Sequence, residues 1–336
     1  MPKRQRMFGT WNSPISPVMI ASGLRLNDVQ WTEDGETLVW LEGRGATGTL
    51  VAQTGADAAR DLTESSMSVR GRVFYGGGEF TSANGVLYFA GTGGRLYHLP
   101  LDGGIPTPIT PEFGASASPS VSPDGRWLVY VHSAENVDAL ALVDVKGAIF
   151  PRRLVSGYDF FMQPAWHPQG DKIAFIAWNQ PNMAWDGTLL QLAHLGTGQD
   201  GVPFVESIET IAGTDDVSIF QPEFSPDGRY LAFVSDQTGW WQLYLYDLQS
   251  KTQTPLTDAP AEDGAPAWVQ GLRTYAWSPD SKAIYFIRNW ESRCSLWRCE
   301  VANHKLRRVI ALDHYGYLGQ IAVAQHGEVA LLASSS

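Results

Sequence analysis

The chain has 336 residues, is 44% hydrophobic and carries a net charge of −11 at pH 7, which is enough apolar material for a sizeable core. With no basic stripe to offset that acidity, nucleic acid and anionic membranes are excluded as expected partners. No window approaches the length of a membrane-spanning helix, and no long stretch shows a 3.6-residue period with a cap at each end.

The start, Met1-Pro2-Lys3-Arg4-Gln5-Arg6, is basic but runs into Met7-Phe8-Gly9-Thr10-Trp11. Without a continuous apolar segment behind it, it does not read as a secretory leader. Glu33-Asp34-Gly35 then precedes the apolar run Leu38-Val39-Trp40-Leu41, the first of several such pairs. Stronger copies follow: Ser122-Pro123-Asp124-Gly125 before Trp127–Val131, and Ser225-Pro226-Asp227-Gly228 before Tyr230–Val234. His167-Pro168-Gln169-Gly170 and Ser278-Pro279-Asp280-Ser281 are degenerate versions, again ahead of apolar runs. Proline presets φ for a tight turn, aspartate accepts a backbone N–H, and glycine takes the left-handed position without steric cost. Each signature is therefore a hairpin corner. The strand after it is apolar at nearly every position, which predicts burial on both faces, as between neighbouring sheets. The next strand alternates, with Leu243, Leu245 and Asp247 on one face and Tyr244 and Tyr246 on the other. Short polar tails such as Thr107-Pro108-Ile109-Thr110 and Thr254-Pro255-Leu256-Thr257 close the units.

The prolines at 123, 168, 226 and 279 are 45, 58 and 53 residues apart. A repeat of that length is one four-stranded sheet plus loops, so the chain is predicted to be an all-β β-propeller of about seven four-stranded blades. Unit starts fall near residues 24, 72, 117, 161, 219 and 272. Six full blades are thus expected over about 24–312, within a single domain spanning 1–336. A partial seventh is expected over 318–336, completed in part by residues 8–22, where Pro17–Ala21 offers one strand. Its unpaired ladder edge would invite pairing with another chain.

Chemistry-bearing motifs are sparse. Gly114-Ala115-Ser116-Ala117-Ser118 lacks the second glycine of a nucleophile elbow and leads into a turn. The seven histidines are scattered without metal-ligand spacing, and the Gly76–Gly78 and Gly91–Gly94 strings have no helix behind them to cradle a phosphate. Asp215-Asp216 reads as a solvated loop pair. No cofactor or metal is expected. Cys294 and Cys299 would lie roughly 16 Å apart on opposite faces of an extended strand, too far to bridge, so a reduced, cytoplasmic setting is expected.

Three features stand out as candidate binding elements. Arg70 and Arg72 share one face if their stretch is extended and would meet a substrate carboxylate or an acid of a partner domain; a surface ion pair is an equal alternative. The loop Trp178–Thr188 sets Trp178, Asn179, Asn182, Trp185 and Asp186 where a short polar connection would do, either as a binding surface or as a staple onto the blade edge. Trp240 and Trp241 open a strand after a hairpin, one ring facing a neighbouring blade and the other the rim.

The repeats resemble those of TolB-type propellers. The opening Gly9-Thr10-Trp11-Asn12-Ser13-Pro14-Ile15, the stretch Val69-Arg70-Gly71-Arg72-Val73-Phe74-Tyr75-Gly76-Gly77-Gly78 and the segment Trp178–Thr188 sharpen this. So do Ser218–Pro222 and Thr238–Tyr244. Together they resemble the propeller of the prolyl oligopeptidase family, in its dipeptidyl aminopeptidase/acylaminoacyl peptidase branch, over essentially the whole chain. The resemblance implies a non-catalytic propeller that caps a serine peptidase site and admits only short or unfolded peptides, with Tyr75 among the binding candidates. The expected partner is a peptide or an α/β-hydrolase domain, a domain the family continues into and this chain is expected to lack. The chain departs from the family where His-Glu usually precedes the tyrosine and only Phe74 stands here, which puts a glutamate grip on a substrate amino group in question. A stand-alone TolB-like scaffold for a peptide or protein partner is the alternative.

Overall fold

The corner signatures fold through one repeated set of hydrogen bonds. Ser122 donates its hydroxyl to the Asp124 carboxylate while its Oγ accepts from Trp127 N at 2.9 Å, and Asp124 Oδ1 accepts from Arg126 N at 3.1 Å. The same trio recurs at Ser225, Asp227 and Tyr230, and at Ser278, Asp280 and Ala283. Thr32 and Asp34 build it at the first corner. Gly125 and Gly228 sit at φ +68° and +74°, the left-handed region their lack of a Cβ permits. The aspartate satisfies the turn and the serine starts the next strand, which is why the two occur together.

The computed structural model describes residues 23–335 together with 7, 9, 10, 13, 15, 16, 18 and 19. The fold is an all-β propeller whose only helical pieces among those residues, beyond 18–19, are two short 3₁₀ turns. Six sheets each carry four antiparallel strands in sequence order: blades 1 to 6 at residues 24–61, 80–108, 115–155, 160–212, 219–255 and 275–309. A last sheet is a two-stranded hairpin, Tyr317–Val323 and Val329–Ser334. The expected count of about seven four-stranded blades is therefore corrected to six. A corner announces the hairpin between a blade's first two strands and carries no information about whether a third and fourth follow. The strand expected from 8–22 falls largely outside the described residues.

The second strand of each blade carries a buried stretch, continuous at Leu128–Val131, Ile173–Ala177 and Leu231–Val234. The alternation read in the third strand of blade 5 does not produce a wet face: Leu243, Tyr244, Leu245 and Tyr246 are all buried. The apolar clusters lie between blades rather than within them. One joins blades 1 and 2, another 2 and 3, another 3 and 4, and a larger one runs through blades 4, 5 and 6. Tyr244 and Tyr246 face those neighbours.

The innermost strands hold a feature the sequence does not announce. Ser118, Gln163, Gln221 and Gln320 adopt φ of +49°, +51°, +51° and +53° at bulges in their strands. Each non-glycine residue there costs about 1–2 kcal/mol, and the distortion turns its side chain toward the ring axis. The connection from blade 5 to blade 6 runs inward to meet them. Gln270 Oε1 accepts from Ser118 Oγ at 2.9 Å and its Nε2 donates to Phe161 O at 2.8 Å. Gln163 Nε2 donates to Leu272 O, and Gln221 Oε1 accepts from Thr274 N. Arg273 reaches the seam of the ring, donating from Nη2 to Asp28 Oδ1 and Val29 O, both at 2.6 Å, and from Nε to Ile321 O at 3.1 Å. From the opposite side the stretch before blade 2 pairs with this connection, Gln270 N donating to Gly76 O at 2.8 Å. Gly77 is required there: a Cβ would lie 2.4 Å from Gln270 O. The axis is thus plugged by protein.

Arg273→Met is expected to lower stability by about 3–5 kcal/mol, because it strands the buried Asp28 charge, while Arg273→Met with Asp28→Leu recovers a large part of the loss. Denaturant midpoints measure both; a single variant as stable as the parent would show that the pair does not hold the seam.

Candidate functional site

The plug divides the axis into two cavities. One, of about 540 Å³, is ringed by inner-strand residues of all seven sheets, among them Asp28, Gln163, Gln221, Glu223 and Arg273. The other, of about 1090 Å³, opens at the mouth where the inner strands begin. Its wall includes Leu24 and Asn27 of blade 1, the stretch from Arg70 to Gly77, Glu79, Val269 and Gln270 of the plug, and Tyr317 and Ser334 of the hairpin.

The stretch 70–77 reaches the mouth because its backbone is tied on both sides. Arg70 N donates to Ala90 O at 2.9 Å and Arg72 N to Ser116 O at 3.4 Å. Gly71 between them is buried, and both arginines are exposed and line the mouth. The two arginines read as a pair from the sequence therefore line the same cavity.

Tyr75 is the centre of an aromatic cluster. Its ring lies 5.2 Å from Phe74, 5.7 Å from Phe160, 5.3 Å from Trp178 and 6.4 Å from Trp185, and Trp185 contacts Trp268 at 4.6 Å. Trp178 and Phe160 are buried, whereas Phe74 and Trp268 are 72% and 58% exposed. The cluster thus grades from packing to an open aromatic rim beside the mouth. Burial pushes the Tyr75 hydroxyl above its ordinary range.

The other residues of the Trp178–Thr188 loop are occupied internally. Asn179 Oδ1 accepts from Asp159 N at 2.9 Å, Asn182 Nδ2 donates to Asp215 O at 2.8 Å, and Asp186 Oδ2 accepts from Met183 N at 2.9 Å. Their groups hold the loop's shape, which presents Trp185. Trp240 and Trp241 split as the sequence reading anticipates, 41% exposed and 7% exposed, but neither lines the mouth. Trp241 is tied to the connection before blade 6 through its N–H, donated to Glu262 at 2.9 Å.

Sequence reasoning missed Trp268, Glu79 and Phe160. Glu79 sits where the stretch from Arg70 enters blade 2. Burial, with the Asp28 carboxylate nearby, pushes its carboxyl up to about 7; burial does the same to Glu223 on the far side of the plug, also to about 7. Among the described residues no cluster of three His, Cys, Asp or Glu side chains is placed to hold a metal. The histidine rings with hydrogen bonds pair with the Phe113 and Gly228 carbonyls, Gln169 N and the Glu209 carboxylate, not with a serine hydroxyl. Both cysteines are free thiols, and burial pushes that of Cys299 up to about 11. No helix among the described residues is long and apolar enough to cross a membrane.

Comparison with known proteins agrees with this geometry. A family model described as TolB beta propeller domain matches residues 133–334. The crystal structure of a puromycin hydrolase superposes with a TM-score of 0.83 at 26% identity, covering 97% of this chain and 53% of that one. A puromycin-hydrolyzing peptidase of Mycobacterium tuberculosis gives 0.81 at 24% identity, covering 99% and 56%. Dipeptidyl-peptidase 5 of Porphyromonas gingivalis is 25% identical over 172 residues, 49% of this chain and 22% of that protein. The chain spans about half the length of the two solved structures and about a fifth of the dipeptidyl peptidase.

Because folding raises the Glu79 and Glu223 values from 4.5 to about 7, the folded state binds more protons than the unfolded chain between those limits. Stability should therefore fall as pH rises from about 4.5 to 7 and level off above. Unfolding midpoints across that range test it, and the Glu79→Gln, Glu223→Gln double variant should flatten the slope. A slope unchanged in the double variant would assign it to other groups.

Proposed function

The chain belongs to the TolB β-propeller domain family, and on that premise we propose that it is the peptide-selecting propeller of a serine peptidase system. It resembles the propeller domains of prolyl oligopeptidase-type peptidases. In this reading it binds and orients a short or unfolded peptide, and an α/β-hydrolase domain docked over the same face cuts it. The observation that carries the reading is the mouth cavity of about 1090 Å³, floored by the axial plug and lined by exposed Phe74, with exposed Trp268 next in the chain to the lining residue Val269. A plugged axis offers no passage through the ring, so a peptide reaches a site above the mouth from the mouth side. The width of that approach then limits what enters, because a folded domain cannot reach a recessed floor whereas an extended segment can. The exposed aromatic rim supplies sequence-tolerant apolar contact at low entropic cost, as expected of an anchor for varied peptides.

A stand-alone scaffold reading uses the same face. It is favoured by the 26% identity to a TolB homolog of Chlorobium luteolum over 158 residues, 46% of this chain and 31% of that protein. The two readings differ in the second partner, not in the surface.

Titration of the protein with unstructured six- to ten-residue peptides, followed by calorimetry, tests the proposal. Phe74→Ala and Trp268→Ala should each weaken binding about 5- to 10-fold and leave the unfolding midpoint in place, since both rings are largely exposed. Absence of binding, or binding indifferent to both substitutions, would remove the mouth as a peptide site.

A further inference from the structure

The electrostatics of the mouth point to a more specific ligand than peptide in general. We propose that Arg70 and Arg72 form a receptor for a carboxylate, so that the mouth engages a peptide through an anionic end or side chain rather than through its amino group. This rests on the peptide-binding reading and deepens it.

Among the described residues, the charged ones lining the mouth are Arg70, Arg72 and Glu79. In a chain of net charge −11, two arginines thus line one cavity with one acid among those residues. Several arginines elsewhere are used on the protein's own groups. Arg44 is forked onto Asp61, Arg288 onto Asp263, and Arg273 holds Asp28. By contrast, neither Arg70 nor Arg72 forms a side-chain hydrogen bond or an ion pair among the described residues; their recorded hydrogen bonds are from the backbone N–H groups.

Their placement is fixed by the fold. The backbone ties to Ala90 and Ser116 and the buried Gly71 between them, whose Cβ would fall 2.1 Å from Gly77 O, hold the two residues at the rim without using either guanidinium. A pre-positioned pair loses less entropy on forming charge-assisted, bidentate contacts than a free side chain would. Glu79 offsets the site only in part: burial, with Asp28 nearby, pushes its carboxyl up to about 7 against the opposing pull of Arg70, so a large share of it is uncharged near neutral pH. Phe74, Tyr75, Leu24 and Val269 line the same cavity and give apolar footing next to the charge, the combination a peptide end with a free carboxylate requires.

Calorimetry at pH 7 with three N-acetylated hexapeptides of Ala, Leu and Phe tests this: one with a free C-terminal carboxylate, one amidated, and one amidated with an internal Glu. The free acid is expected to bind about tenfold tighter than the amide. The Arg70→Gln, Arg72→Gln double variant should bring the acid down to the affinity of the amide without moving the unfolding midpoint, and Arg70→Lys, Arg72→Lys should retain part of the preference. Tight binding of the Glu-bearing amide would support a receptor for any carboxylate, and weak binding would support one for the chain terminus. Equal affinity of acid and amide for the parent protein, or a preference that survives the double Gln variant, overturns the carboxylate receptor while leaving a peptide site at the mouth. Failure of all three peptides to bind overturns both.

Discussion

The structure depends on how a ring of radial sheets settles the polar backbone that converges at its centre. Inner strands meeting at an axis leave donors and acceptors that a narrow channel cannot hydrate uniformly, and each orphaned group costs about 1–3 kcal/mol. Here the cost is avoided by protein. The connection before blade 6 enters the axis, and its Gln270, Arg273 and Thr274 bond to blades 1, 3, 4 and 5 and to the terminal hairpin. The left-handed backbone at Ser118, Gln163, Gln221 and Gln320 makes sense only against this network. Isolated, each conformation is unfavourable; joined, each side chain meets a hydrogen-bond partner held in place.

That solution decides where function can reside. A filled axis separates the two ends of the ring, and the mouth end carries exposed Phe74 beside Arg70 and Arg72. Neighbouring blades are held together by the apolar surfaces between them, so the sheets form a rigid frame on which connections are displayed. The mouth is made from two of those connections, 70–79 and 266–274, and from the seam between blade 1 and the hairpin.

Much of the frame is legible in the sequence, because a corner is local. Ser, Asp and Gly within four residues specify their own hydrogen bonds, and the apolar run behind them reports burial on both faces. The aromatic loop is legible as unusual, although its Asn179, Asn182 and Asp186 prove to bond within the protein and only Trp185 turns to the rim. What is not legible is anything set by pairs far apart in the chain. Gln270 meets Ser118 across 152 residues, and Arg273 meets Asp28 across 245; nothing in Ala267-Trp268-Val269-Gln270 marks a connector that enters the axis. The alternation of Leu243–Asp247 assigns faces but not exposure: blade-to-blade packing buries Tyr244 and Tyr246 as well as the leucines. The figure of about seven blades errs because a corner reports only a blade's first hairpin, and the last sheet carries two strands among the described residues.

The inward-running connections have one more implication, for how such a binding surface diversifies. Surface loops usually drift by insertion and deletion, since extra length is thermodynamically cheap. At residues 70–79 and 266–274 that route is closed: a single added residue would shift Gly77 against Gln270 and unseat the hub. Variation at this surface is confined to exchanging outward side chains at fixed backbone positions, so its ligand preference is free to change in chemistry but not in shape.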